Sequence, residues 1–135
     1  VCGDGGFSMT PYVVATAVEY NLPCIWVVWN NFSWAAIRDI QVGMFGNRQL
    51  GTYFEKEKKP YNPDFAAWAR ACGADGVTIT KSEDLAGALQ QAIRNKRPCV
   101  LDVHVDAEVR PPSTGTWQLP PTPYKEPAFG KPWRA

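Results

Sequence analysis

The chain has 135 residues, of which 45% are apolar, and a formal net charge of +1, enough for one compact globular domain with a single core. The near-neutral charge removes the electrostatic case for nucleic acid or a membrane surface as partner. No apolar run is long enough to span a bilayer, and no signal-peptide pattern opens the chain.

Val1 lies at a strand end, with the turn Gly3-Asp4-Gly5-Gly6 directly behind it. A natural domain rarely begins by giving up its first strand, so the chain is expected to be the C-terminal portion of a longer polypeptide. Thr10-Pro11 predicts a helix start, since Thr accepts at an N-cap and Pro is tolerated at the first helical position. Val13, Val14, Ala17 and Val18 mark one face of that helix to about Tyr20. Cys24 to Trp29 is continuously apolar and β-branched or aromatic, as a central parallel strand reads, and places Trp26 and Trp29 in the core. A helix follows from about Ser33 to Val42, then a long loop over 43–62 with the charged run Glu55-Lys56-Glu57-Lys58-Lys59 in solvent. Loops of that length are uncommon without a functional reason.

Asn62-Pro63 predicts the next helix start, with Phe65, Trp68, Ala69 and Cys72 on one face and Gly73 at its end. Val77 to Thr80 is a short strand. Ser82 caps a helix carrying Leu85, Leu89, Ala92 and Ile93 at helical spacing, and Cys99 to Val105 is the last strand, in which His104 alternates as a structural residue. The alternation argues for a doubly wound α/β fold, a parallel sheet with helices on both faces, over residues 1–106. Residues 107–135 hold seven of the 12 prolines together with Trp117, Tyr124, Phe129 and Trp133, and are expected to form an extended arm lying on another domain or subunit. Cys2, Cys24, Cys72 and Cys99 lack metal-ligand spacing and sit in or beside apolar elements. That pattern is expected of buried reduced thiols in a cytoplasmic protein.

Ligands of doubly wound sheets sit beyond the carboxyl ends of the strands. Asp4 and Asn31 both fall on such loops, separated by one helix and one strand. Gly-Asp-Gly-Gly alone reads as a surface turn, and Asn30-Asn31 alone as a strand end and helix cap. Together they put two hard oxygen ligands beside a glycine-rich turn, which suits Mg²⁺ holding a diphosphate. Gly5 and Gly6 permit close backbone approach, and Ser8 and Met9 stand near the same wall. No G-x-G-x-x-G follows a strand, so a nicotinamide or flavin loop is not indicated.

Gly3-Asp4-Gly5, a spacer and Asn30-Asn31 resemble the signature of thiamine diphosphate enzymes of the pyruvate oxidase, acetolactate synthase and benzaldehyde lyase group. The resemblance runs from Val1 to about Asp106. It implies Mg²⁺ held by Asp4, Asn31 and the main-chain carbonyl of Ser33, with Gly3, Gly5, Gly6, Ser8, Met9, Trp34 and Ala35 around thiamine diphosphate. Ala36, Ile37 and Ile40 on the following helix would face a small-molecule carbonyl substrate. The implied activity is cleavage or formation of C–C bonds next to a carbonyl, by a decarboxylase or carboligase. In such enzymes a Glu from a separate pyrimidine-binding domain, usually on another subunit, activates the cofactor. No catalytic residue is therefore assigned within this chain, which would be inactive alone and would work with the remaining domains in a homodimer or homotetramer. Acetolactate synthases carry Trp where Ile40 aligns. Asn31-Phe32-Ser33-Trp34, Gln41, Asn47-Arg48 and Gly51-Thr52 are more similar to benzaldehyde lyase. A non-catalytic binding or scaffold module retaining the fold is the alternative, but it would not need both Asp4 and Asn31.

Overall fold

The computed structural model describes residues 1–46 and 49–109. Asn47-Arg48 and, of the arm expected over 107–135, the residues from Arg110 onward lie outside the described residues. In chain order the elements are β1 (Cys2–Gly3), α1 (Asp4–Met9), α2 (Val13–Glu19), β2 (Ile25–Asn30), α3 (Ala35–Phe45), β3 (Glu55–Lys56), β4 (Lys59–Pro60), α4 (Phe65–Ala71), β5 (Asp75–Ile79), α5 (Ser82–Asn95) and β6 (Cys99–His104). A parallel sheet of four strands runs β1-β2-β6-β5.

The period-two alternation of β2 and β6 builds two cores, one on each face. Val28 and Val100 point to one face, where Phe7, Val14, Phe65, Ala69 and Ala74 cover them, with Trp26 packed alongside. Leu101, Cys99 and Val103 point to the other, under Ala92, Leu85 and Leu89 of α5. The α/β fold with helices on both faces is as the sequence indicates. β6 is the more deeply covered strand: its first five residues are all buried. On β2 the expectation of full burial fails at Trp29, which is 40% exposed. Trp29 pairs in register with Gly3 of β1, a strand of two residues whose glycine offers no side chain to cover the indole.

Several element boundaries differ from the pattern reading, each for a local reason. The glycine turn is itself helical, so Thr10 ends α1 and the next helix begins only at Val13. The 43–62 segment contains a small hairpin in which Glu57 and Lys58 adopt φ of 54° and 61°, the backbone twist that two-residue hairpin loops require. Ahead of α4 the cap is Asp64, whose carboxylate accepts from the Ala67 amide at 2.7 Å, and Asn62 is left for another purpose. All four cysteines are free thiols, but only Cys99 is buried: Cys2 and Cys72 are half-buried and Cys24 is exposed. Among the described residues no helix is long and apolar enough to cross a membrane.

β5 and α4 approach so closely that a Cβ on Gly76 would stand 2.2 Å from the main-chain oxygen of Ala66. Backbone cannot yield as a side chain can. Gly76→Ala is therefore expected to destabilise the domain by about 1–3 kcal/mol, measured by urea unfolding, whereas Gly87→Ala, where a Cβ meets nothing within 4 Å, should not destabilise it.

Candidate functional site

At the carboxyl ends of β1 and β2 a cleft of about 250 Å³ is lined by Gly3, Asp4, Gly5, Gly6, Asn31, Ser33, Trp34, Ala35, Ala36 and Ile37. A larger groove of about 400 Å³, bordered by Arg70, Asp75, Gln91 and Cys99, opens at the amino ends of β5 and β6 instead. That is the edge where open parallel sheets do not place ligands.

Asp4 is 1% exposed, at the first position of α1. Its Oδ2 accepts from the Ser33 amide at 3.1 Å and from Asn62 Nδ2 at 2.6 Å. Burial pushes the Asp4 carboxyl above its ordinary range, against the pull of the Asn62 amide and the main-chain N–H groups of Ser33, Gly5 and Asp4. A carboxylate held dry in this way is stabilised by a cation beside it.

Asn31 Oδ1 and Ser33 Oγ are buried and find no hydrogen-bond partner among the described residues. Buried polar atoms are nearly always paired, so an orphaned amide oxygen in a cleft beside a buried carboxylate is the mark of an expected ligand. The glycine wall gives the same indication. A Cβ at Gly3 or Gly6 would meet nothing within 4 Å, while one at Gly5 would meet the Trp34 indole at 3.2 Å. Of these three glycines, packing within the described residues constrains only Gly5.

The Asn31 loop is held from behind. Phe32 adopts φ of 56°, a left-handed conformation costly for an aromatic residue. It is kept there by the Phe54 amide donating to its carbonyl at 2.8 Å, by Trp34 N–H donating to the Thr52 carbonyl at 2.8 Å, and by a bridge between Ser33 and Tyr53. Gln41 accepts from Thr52 Oγ1 at 2.7 Å, and buried Arg38 reaches Gln49 and Glu108. The long 43–62 segment is therefore the brace of the Asn31 loop.

Beneath both loops lies a buried polar network that pattern reasoning missed. Asn30 Nδ2 donates to Asp102 Oδ1 at 2.9 Å, and Asn30 Oδ1 accepts from Asn62 Nδ2 at 2.7 Å. His104 Nε2 stands 3.5 Å from Asp102 Oδ2, and its ring meets Phe32 edge to face. The available signal was period two: Asn30 continues the buried face of Trp26 and Val28, and Asp102 that of Val100, so both polar residues must be buried and paired.

Of the residues assigned from sequence, three do not line the cleft. Ser8 turns its hydroxyl back to the Asp4 carbonyl at 2.8 Å, Met9 is 66% exposed, and Ile40 is 47% exposed one turn beyond Ile37.

With that geometry in place, comparison with known proteins is direct. Residues 1–103 match the family described as "Thiamine pyrophosphate enzyme, C-terminal TPP binding domain". The chain belongs to this family. It is 41% identical over 115 residues to YdaP of Bacillus subtilis, a protein named for thiamine pyrophosphate, covering 85% of this chain and 18% of that protein. It is 31% identical over 114 residues to sulfoacetaldehyde acetyltransferase of Alcaligenes xylosoxydans xylosoxydans, covering 82% and 18%. It is 30% identical over 106 residues to acetolactate synthase of Bacillus subtilis, covering 78% and 17%. The thiamine diphosphate-dependent 4-hydroxybenzoylformate decarboxylase of Rhodococcus jostii RHA1 shares the fold, with a TM-score of 0.68 at 21% identity over 77% of this chain and 19% of that one. The chain thus spans less than a fifth of the length of each of these proteins.

Asp102 gives the thiamine pyrophosphate domain a measurable pH signature. Burial first, and Asp64 to a lesser degree, raise its carboxyl, while Asn30 and His104 pull it down. A carboxyl raised on folding binds its proton more tightly in the native state, so stability falls as pH rises through the interval between the unfolded and folded values. Asp102→Asn keeps an acceptor for Asn30 and removes the buried charge. Its melting temperature is expected to exceed the parent's at pH 7, with the difference shrinking towards pH 4, as differential scanning calorimetry would record.

Proposed function

We propose that the cleft binds the diphosphate of thiamine diphosphate through Mg²⁺, within a longer enzyme that cleaves or forms C–C bonds next to a carbonyl. The observation that carries this reading is the buried, unpartnered Asn31 Oδ1 in the same glycine-walled cleft as the buried Asp4 carboxylate. Family membership independently supplies the cofactor class.

The donor set suits the ion. Mg²⁺ prefers hard oxygens and shares them with phosphates. Asp4 would supply a carboxylate oxygen, Asn31 its amide oxygen and Ser33 its main-chain carbonyl. Gly3 and Gly6 leave the wall open, and the first-turn amides of α1 that the Asp4 carboxyl does not engage would be donors for phosphate oxygens. When bound, the cofactor supplies an electron sink for breaking or making the bond next to the carbonyl. This chain's residues bind and orient it: Trp34 stands over Gly5 and closes one side, and Ala36 and Ile37 present an apolar wall where a carbonyl substrate would lie.

Among the described residues Asp4 is the one acid that lines the cleft, and in this reading the carboxylate that activates the cofactor comes from another domain or subunit. A scaffold module is the weaker reading, since without a ligand Asp4 is a cost to the fold. Relatives named as acetolactate synthase and sulfoacetaldehyde acetyltransferase favour a carboligase or acyl-transfer outcome over simple hydrolysis.

In the full-length enzyme, Asp4→Ala is expected to abolish Mg²⁺-dependent binding of thiamine diphosphate. Titration calorimetry giving the parent's affinity would refute the site. The purified 135-residue chain, free of the intact enzyme, should show no decarboxylation or carboligation with cofactor and Mg²⁺ added, as a product assay by chromatography would verify.

A further inference from the structure

The Asn62 side chain crosses the gap between the two loops of the cleft, although it belongs to neither. It lies at the end of the brace segment, ahead of α4, and its single Nδ2 reaches Asp4 Oδ2 at 2.6 Å and Asn30 Oδ1 at 2.7 Å. An amide nitrogen has two hydrogens, and here each has an acceptor. The orientation is dictated from further back. Asn30 must turn its nitrogen towards Asp102 Oδ1, at 2.9 Å, which leaves its oxygen facing Asn62.

The consequence falls on Asp4. The Asn62 bond and the Ser33 amide at 3.1 Å both land on Oδ2. Two donors fill the usual acceptor sites of one carboxylate oxygen, so Asp4 has Oδ1 to offer a cation. Mg²⁺ takes single oxygens in strict octahedral order, whereas Ca²⁺ accepts carboxylates through one or both oxygens in a looser and larger shell. A carboxylate with one oxygen tied down suits the smaller ion. Without Asn62 the carboxylate loses its shortest bond, keeps the longer Ser33 bond and the pull of the Gly5 and Asp4 amides, and is freer to turn and present both oxygens.

We infer that Asn62 is a positioning residue that sets the cation selectivity of the cleft, holding Asp4 to one free oxygen and so favouring Mg²⁺ over Ca²⁺. This rests on the reading of the cleft as a metal–diphosphate site.

The test uses the full-length enzyme with saturating thiamine diphosphate, titrated with MgCl₂ or CaCl₂ in a calorimeter. Asn62→Leu keeps the branched side-chain skeleton, at a larger volume, and removes both donors. It is expected to weaken Mg²⁺ binding about 10–100-fold, the usual range for loss of a residue that orients a metal ligand. Ca²⁺ binding should fall by less, so that the ratio of Mg²⁺ to Ca²⁺ affinity drops about tenfold. Asn62→Ser, smaller than Asn and retaining one donor hydrogen, should give an intermediate ratio, and it is read in the same way should Asn62→Leu not fold. Equal weakening of both ions, or of neither, would overturn the selectivity role. Asp4→Ala in the same titrations separates the two readings. If it leaves Mg²⁺ binding intact, the metal site itself is refuted. If it abolishes binding while the Asn62 variants keep the parent ratio, only the role of Asn62 is refuted.

Discussion

Asn30 ends the central strand with its amide buried between Asp102 on the neighbouring strand and Asn62 from the segment ahead of α4. This side chain ties the sheet to the loops above it in both directions. Its nitrogen is anchored to a carboxylate held in the parallel register of β2 and β6, which also sets Asn30 beside His104. Its oxygen receives the residue that reaches Asp4. The positions of the Asp4 and Asn31 loops therefore derive from strand pairing, the most rigid part of the domain. The proposed Mg²⁺ site would need that rigidity, because a displacement of a few tenths of an ångström spoils octahedral geometry.

Buried polarity of this kind is costly unless fully paired. In the deeper layer both ends of the Asn30 amide are paired: it donates to Asp102 and accepts from Asn62 and Phe32. In the cleft layer Asn31 Oδ1 and Ser33 Oγ are left without partners among the described residues. The division is informative. Groups that serve the fold are satisfied within it, and those at the site stand ready for something outside it. Strand alternation sends Asn30 towards the sheet and Asn31 towards the cleft, and the strained left-handed Phe32 then turns the chain so that Ser33 and Trp34 reach the same cleft.

The brace segment explains why so long a connection is retained between α3 and α4. Residues 52–54 pair with 32–34 as an improvised edge, Gln41 and Arg38 bind it to α3, and Asn62 leaves it to enter the site. α3 in turn keeps Ile37 and Ile40 largely exposed, away from either core. Of the two, only Ile37 lines the cleft, whereas the family resemblance implied both.

Local sequence was sufficient for the fold class and for singling out Asp4 and Asn31, which the structure brings to one cleft. Apolar runs of strand length, helical spacings and the punctuation by Gly and Pro are local signals, and Gly3-Asp4-Gly5 with Asn30-Asn31 carries its chemistry in residue type and order. What the sequence could not supply was which polar side chains meet across long separations. Asn62 reads as part of a helix start because Pro63 follows it, and Asp102 as one residue of an apolar strand. Only the parallel register of β2 with β6, and the path of the brace over the sheet edge, put Asn62 between Asp4 and Asn30 and Asp102 beneath them. Hydrogen bonding is directional and acts over about 3 Å, so such partnerships come into being only once tertiary packing has set the distances.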